Sequence, residues 1–156
     1  MKIKEGMKVR GMFRVQITED GKVIGDSGFN HNLITNLGFN QYLVSALGSI
    51  SGSKYISHVS LGTGGAPIAT DTTLAGEQSV REAVTAATSS GSKTVRFTAT
   101  FASADSFVTA TKNISNIGLF NTSSTGGGTL FAGNTYASSA CATNQNVNVT
   151  YDIIFA

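Results

Sequence analysis

The chain reads as mainly β, an antiparallel β-sandwich of jelly-roll-like kind with one short helix near residues 36-47. Three observations lead there. Only 13% of its 156 residues are charged, too few to coat the exposed faces of a helical protein, whereas a neutral Thr/Ser surface suits antiparallel sheets. Gly, Ser, Thr and Asn together supply 66 residues, the composition of frequent turns. Period-two alternation of apolar and polar residues recurs, most cleanly at Val147, Val149, Tyr151, Ile153 and Phe155. At this length folding hides roughly 70% of the surface the unfolded chain exposes, enough for a single core without disulfides or metals.

The elements follow in order. From Lys8 to Thr18, Val9, Gly11, Phe13, Val15 and Ile17 alternate with Lys8, Arg10, Met12, Arg14, Gln16 and Thr18, predicting a half-buried strand with a basic outer face. Glu19-Asp20-Gly21-Lys22 reads as a hairpin turn, since Asp-Gly takes the positive φ angles such turns need, and Val23-Ile24 starts the return strand. Residues 36-47 are the helix: Asn36 is the expected cap, Leu37, Phe39, Tyr42, Leu43, Ala46 and Leu47 cluster on one side, and Gly48 closes it. Tyr55 to Leu61 alternates again. A turn-rich stretch through Pro67 leads to Asp71, read as the cap of a single helical turn. Further strands are expected at 80-88, 94-102, 113-120, 129-136 and 147-155, with no linker dividing the chain.

The remaining sequence features bear on chemistry. No apolar run approaches the ~20 residues that span a bilayer, and the first residues lack the apolar centre of an export signal, so the chain is expected to be soluble, made in the cytoplasm and not membrane-bound. Cys141 is the one cysteine and His31 and His58 the two histidines, which excludes an internal disulfide and a Cys/His zinc cluster. His31 and His58 read as ordinary surface or sheet residues, and Cys141, with no cation beside it in sequence, as a small apolar side chain. The nine carboxylates form no motif of fixed spacing, and the glycine-rich segments lack the phosphate-cradle pattern. The expectation is a protein that is not an enzyme, with no cofactor and no metal.

Charge has one directional feature. Residues 1-22 hold six of the eleven basic residues, leaving the other 134 slightly acidic. The chain is therefore read as a basic N-terminal arm and first strand (1-22) of a single domain whose sandwich body is 23-156. Lys2, Lys4, Lys8, Arg10 and Arg14 are the candidate contacts for an acidic protein surface. A solvated strand edge is the competing reading. Nucleic acid is not the expected partner, because no aromatics interleave with these cations.

Leu61-Gly-Thr-Gly-Gly-Ala-Pro67 with Thr70-Asp-Thr-Thr-Leu74 and Glu77, then Ile114-Ser-Asn-Ile-Gly-Leu-Phe-Asn121 and Gly128-Thr-Leu-Phe-Ala132, give the chain a further character. Over residues 32-156 it resembles small β-sandwich structural proteins of tailed bacteriophages, with Asn116 where such proteins often carry an acid. The resemblance implies a capsid decoration (cement) protein on the virion's capsid surface, commonly a homotrimer, that binds and stabilises the major capsid protein lattice. The alternative it implies is a tail-fibre or tail-tip component binding host glycans through Thr122-Gly128 and Ser138-Asn146.

Overall fold

The computed structural model describes residues 6–156, and two antiparallel sheets pack face to face as the sequence predicts. The strands in chain order are β1 (Val9–Glu19), β2 (Lys22–Asp26), β3 (Asn30–His31), β4 (Leu33–Ile34), β5 (His58–Gly62), β6 (Glu77–Ala83), β7 (Thr85–Ala87), β8 (Thr94–Phe101), β9 (Lys112–Phe120), β10 (Ala132–Cys141) and β11 (Asn146–Phe155). One sheet runs β2-β1-β11-β8-β7, with β3 also on β1, and the other runs β4-β10-β9-β5-β6.

Both sides of the sandwich are closed by chain that passes from one sheet to the other. At the first corner Asn30–His31 pairs with Met12 and Phe13, and Leu33–Ile34, one residue later, pairs with Ala132 and Gly133 in the facing sheet. Asn32 turns this corner: it inserts over Gly11, where a Cβ would lie 2.3 Å from its side chain, and donates its Nδ2 to Tyr151 Oη at 2.7 Å. At the second corner β6 and β7 are separated by Val84 alone. Its amide donates to Ser57 O at 2.9 Å. Sheet edges are thereby reduced to short segments, a known protection against edge-to-edge aggregation.

Alternation decides what fills the centre. Phe13, Val15 and Ile17 of β1, Phe97 and Phe101 of β8, and Val147, Val149, Tyr151 and Ile153 of β11 meet Val59, Leu61, Ile114, Ile117 and Leu119 from the other sheet and Phe131 from the approach to β10. Phe13 stacks on Tyr151 at 5.6 Å between ring centroids and meets Tyr136 edge-on at 5.9 Å. Each such ring stabilises by about 1.5–3 kcal/mol through burial. A second small cluster, Leu74, Phe120 and Leu130, forms on the outer face of the β9 sheet, which the intervening loops cover. Gly118 makes room there, since a Cβ would come 2.7 Å from Leu130 Cδ1.

Chain ends and turns are set locally. Strands β1 and β11 pair from Val9 opposite Phe155 to Thr18 opposite Asn146, and Lys8 and Ala156 exchange two backbone hydrogen bonds beyond them, 2.5 and 2.7 Å. The Asp20-Gly21 turn has both residues at positive φ, 48° and 77°, as the hairpin reading requires. Several expectations are corrected. Asp71 does not cap a helical turn; its carboxylate accepts the Ile68 amide at 2.9 Å and closes a turn backwards. Tyr55 is exposed and precedes the strand, which starts at His58. The 129-136 strand begins at Ala132 and runs on to Cys141, with Leu130 and Phe131 buried in the approach to it.

Candidate functional site

The helix spans 36-47 as predicted, but its ends are made by other residues. Thr35, not Asn36, caps the start: its Oγ1 accepts the Gly38 amide at 2.9 Å while donating to Leu130 O at 2.6 Å, and Phe39 N donates to Thr35 O at 3.1 Å. At the far end Gly48 keeps negative φ. Ser49 takes the left-handed conformation at φ 49°, with Ser49 N on Ala46 O and Ile50 N on Ser45 O. That bond pattern is a Schellman closure with serine where glycine is usual.

The helix is anchored on one side and bare on the other. Gly38 lies so close to the neighbouring loop that a Cβ would stand 2.2 Å from Phe131 O. Tyr42 is 3% exposed, meets Phe131 edge-on at 5.1 Å, and donates its hydroxyl to Thr129 O. Burial raises its pKa far above the ordinary phenol value, so it stays a neutral donor. The stretch Gly38–Val44 is wound as a π-helix, and Ser45–Leu47 returns to α. Along the outer side Phe39, Val44 and Leu47 are 42%, 62% and 88% exposed, and Met7, from the start of the described chain, is 72% exposed. Between them runs a groove of ≈ 440 Å³, floored by Val9 and Phe155. Contiguous exposed apolar surface is the kind from which contact sites for other macromolecules are built.

The basic residues singled out by sequence share one face of the first strand where they are described. Lys2 and Lys4 lie outside the described residues. Lys8 and Arg10 are exposed, and Arg14 follows them on the outer face of β1. From Val9 onward this segment pairs with β11 along its length, with β3 at Met12 and Phe13, and with β2 only from Gln16. Arg14 forms an ion pair with Asp26, its Nε 2.9 Å from Oδ1, and its guanidinium lies 5.7 Å from the Phe29 ring. Gln16 also donates to Asp26 at 3.0 Å. The hydrogen bond from Arg14 and one from the Gly28 amide hold the Asp26 carboxyl far below the usual carboxylate range. Arg14 is thus matched within the chain, while Lys8 and Arg10 make no ion pair among the described residues.

A second arrangement went unseen in the sequence. Glu77 and Arg81 form a buried ion pair, Arg81 Nε to Glu77 Oε1 at 2.5 Å and Nη2 to Oε2 at 3.1 Å. Four residues apart on a regular strand they would stand too far from each other to touch. A register shift of two residues against β5, where Ser60 opposes Arg81 but Gly62 opposes Glu77, folds the strand so that they meet. Arg81 Nη1 donates to Thr122 O and Gly127 O, 3.1 and 3.0 Å, and Gly126 N donates to Glu77 Oε2 at 2.8 Å. The guanidinium lies 3.5 Å from the centroid of the Phe120 ring. The pair therefore clamps the 122-128 loop onto the sheet. Burial opposes ionisation of Glu77, but the hydrogen bonds from Arg81 and the Gly126 amide prevail, and its pKa is lowered.

The other chemistry-bearing residues hold structure. Asn116 is buried, and its Nδ2 donates to Gly65 O at 3.1 Å and Ala75 O at 2.8 Å, tying two turns together. An acid here would face two carbonyl oxygens with no proton to offer, which accounts for the amide. His31 is exposed at the first corner. His58 Nδ1 lies 2.8 Å from Ser57 Oγ, and burial, aided by the Arg81 charge, lowers its pKa. Cys141 is buried, and burial pushes its thiol up. Among the described residues no three His, Cys, Asp or Glu side chains stand together as a metal site.

Compared with known proteins, the chain matches no family model, no curated protein and no solved structure. The bacteriophage resemblance accordingly rests on the quoted motif residues alone.

Proposed function

We propose that this chain is a bacteriophage virion structural protein, a capsid decoration protein that binds the major capsid protein lattice and associates with further copies of itself, as homotrimers in the group it resembles. The observation that carries the reading is the exposed apolar end of the sandwich, Met7, Phe39, Val44 and Leu47 beside a groove, on a body of low charge. Such a surface gains free energy by meeting another protein. Lys8 and Arg10, exposed on β1, supply positive charge for an acidic capsid surface, with Lys2 and Lys4 preceding them in sequence. Several moderate contacts per copy make detachment require simultaneous ruptures, which is how a lattice clamp opposes outward pressure.

Copy number tests this. Quantitative mass spectrometry of purified particles is expected to find the chain at hundreds per virion relative to the major capsid protein. Tens or fewer would overturn decoration and favour the tail-fibre alternative. The role of charge is tested by Lys8→Glu with Arg10→Glu, because deleting residues through 14 would remove half of the strand that pairs with β11. Capsid binding unchanged by the double substitution would remove the cations from the contact.

A further inference from the structure

The outer face of the β8 sheet carries two adjoining hollows. The first, of ≈ 490 Å³, is lined by Arg96 and Asp152, by the apolar Ala87 and Ile154, and by the hydroxyl-bearing Ser89 and Ser92. The second, of ≈ 360 Å³, is lined by Thr85, Thr98, Thr100, Asn148 and Thr150. Each falls within the size range of small-molecule sites, about 300–1,000 Å³. Strand register makes them neighbours: Arg96 opposes Asp152, Thr98 opposes Thr150, and Thr100 opposes Asn148. Phe97, Phe101, Val149 and Tyr151, which alternate with them, face the core, so these side chains share the outer face. From Thr94, which also lines the first hollow, to Thr100 the trough runs roughly 20 Å, the length of about four sugar residues.

The lining chemistry selects the occupant. Arg96 donates Nε and Nη2 to the Asp152 carboxylate, both at 2.8 Å, and the Asp152 side chain is only 11% exposed. That fork fixes the guanidinium while leaving Nη1 and the second Nη2 proton to donate outward. Thr100 Oγ1 donates to Asn148 Oδ1 at 2.8 Å, which leaves the Asn148 Nδ2 as a donor. The turn that carries Ser89 and Ser92 is itself held, with Ser92 N on Ser89 O and Thr88 Oγ1 on Thr94 O, each at 2.9 Å. Arg96 and Asp152 cancel, and among the described residues no other charged side chain lines either hollow. Such a surface offers an ionic ligand no net attraction, whereas hydroxyls, an amide and a held guanidinium match a ligand that is itself hydroxylated. Guanidinium N–H groups beside Ala87 and Ile154 also fit a carbonyl next to a methyl, the pattern of an acetamido group. We infer that this trough binds a neutral oligosaccharide bearing N-acetyl groups, at a site distinct from the exposed helical end and from the 122-128 and 138-146 loops.

The experiment is an NMR titration of the isotope-labelled full chain with chitotetraose, a neutral tetrasaccharide of N-acetylglucosamine, up to about 10 mM, since an open trough without aromatic stacking binds weakly. Amide shifts are expected across 85-100 and 148-154, saturating with a dissociation constant of about 1 mM. Arg96→Lys keeps a cation beside Asp152 but loses the fork, and is expected to weaken binding about 10-fold. Thr98→Glu places a longer, charged side chain where the two hollows meet and is expected to abolish the shifts at an unchanged thermal midpoint, because Thr98 is exposed. No shift in the wild type, shifts confined to 122-128 or 138-146, or binding that either variant leaves unchanged would each overturn the inference. Tighter binding of tetragalacturonate, an acidic tetrasaccharide, would overturn it as well. A failed titration leaves the decoration role standing, because copy number on particles decides that role separately.

Discussion

Replacing Arg81 by Met tests how the 122-128 loop is held. The substitution keeps an unbranched side chain of similar length over the Phe120 ring but removes the guanidinium. Arg81 is fully buried and Glu77 nearly so, so solvent cannot take over the role of the lost partner. Stranding one member of a buried pair costs about 3–5 kcal/mol. In a domain of this size each kcal/mol lowers the midpoint by about 2–4 °C, so Arg81→Met is expected to melt about 6–20 °C below wild type. The carbonyls of Thr122 and Gly127 also lose their donors, and the Gly126 amide should exchange faster with solvent. Glu77→Gln combined with Arg81→Met removes the stranded carboxylate and is expected to recover about half of the lost stability, a coupling that independent sites would not show. Thermal melts followed by circular dichroism, with amide exchange at Gly126, measure both. A drop below about 3 °C for Arg81→Met, or a double variant less stable than the single, would refute the clamp.

Three further outcomes follow from the same geometry. The pKa values of Asp26 and Glu77 are lowered on folding, so their contribution is present above the ordinary carboxylate range near about pH 4 and is lost as pH falls through their folded values. That of His58 is lowered too, so the unfolded chain takes up its proton first and stability falls as pH drops below about 6.5. Melting points should rise from pH 4 to 7, and His58→Gln should flatten the upper part of that rise. Ser49→Gly relieves a left-handed serine and is expected to stabilise by about 0.5–1 kcal/mol, read as a higher denaturant midpoint at unchanged slope. Asn116→Asp places a carboxylate against Gly65 O and Ala75 O and is expected to cost about 3 kcal/mol or more at pH 7, with part of the loss recovered near pH 4 as the acid protonates.

The long strands were legible because their period-two pattern mirrors what is buried. Phe13, Val15 and Ile17, or Val147 through Ile153, face the core at every second position, and the Asp20-Gly21 turn announces itself by residue type. The corners were not legible. Asn30–His31 and Leu33–Ile34 are two residues each, too short to show a period, and only the pairing partners far along the chain define them. The helix was found by its apolar cluster on one side, of which Tyr42 is buried against the sandwich while Phe39 and Leu47 are exposed. Glu77 and Arg81 carried no visible signal, because their meeting depends on a register shift set by β5. The basic residues were visible as a cluster, but sequence could not show that Asp26 is brought back across the hairpin to neutralise Arg14.

The pairing of the first strand with the last has a mechanical meaning. Lys8 and Ala156 sit side by side at one end of a ladder ten residue pairs long. Tension applied between the two ends of the chain would load those terminal hydrogen bonds first and peel the ladder one rung after another, at low force. Tension applied through the helical end and the opposite hairpin would run along β1 and load every rung together. Force carried along the strands therefore meets a stiff body, while a cargo fused to either terminus and pulled against the other would tear it open like a zip.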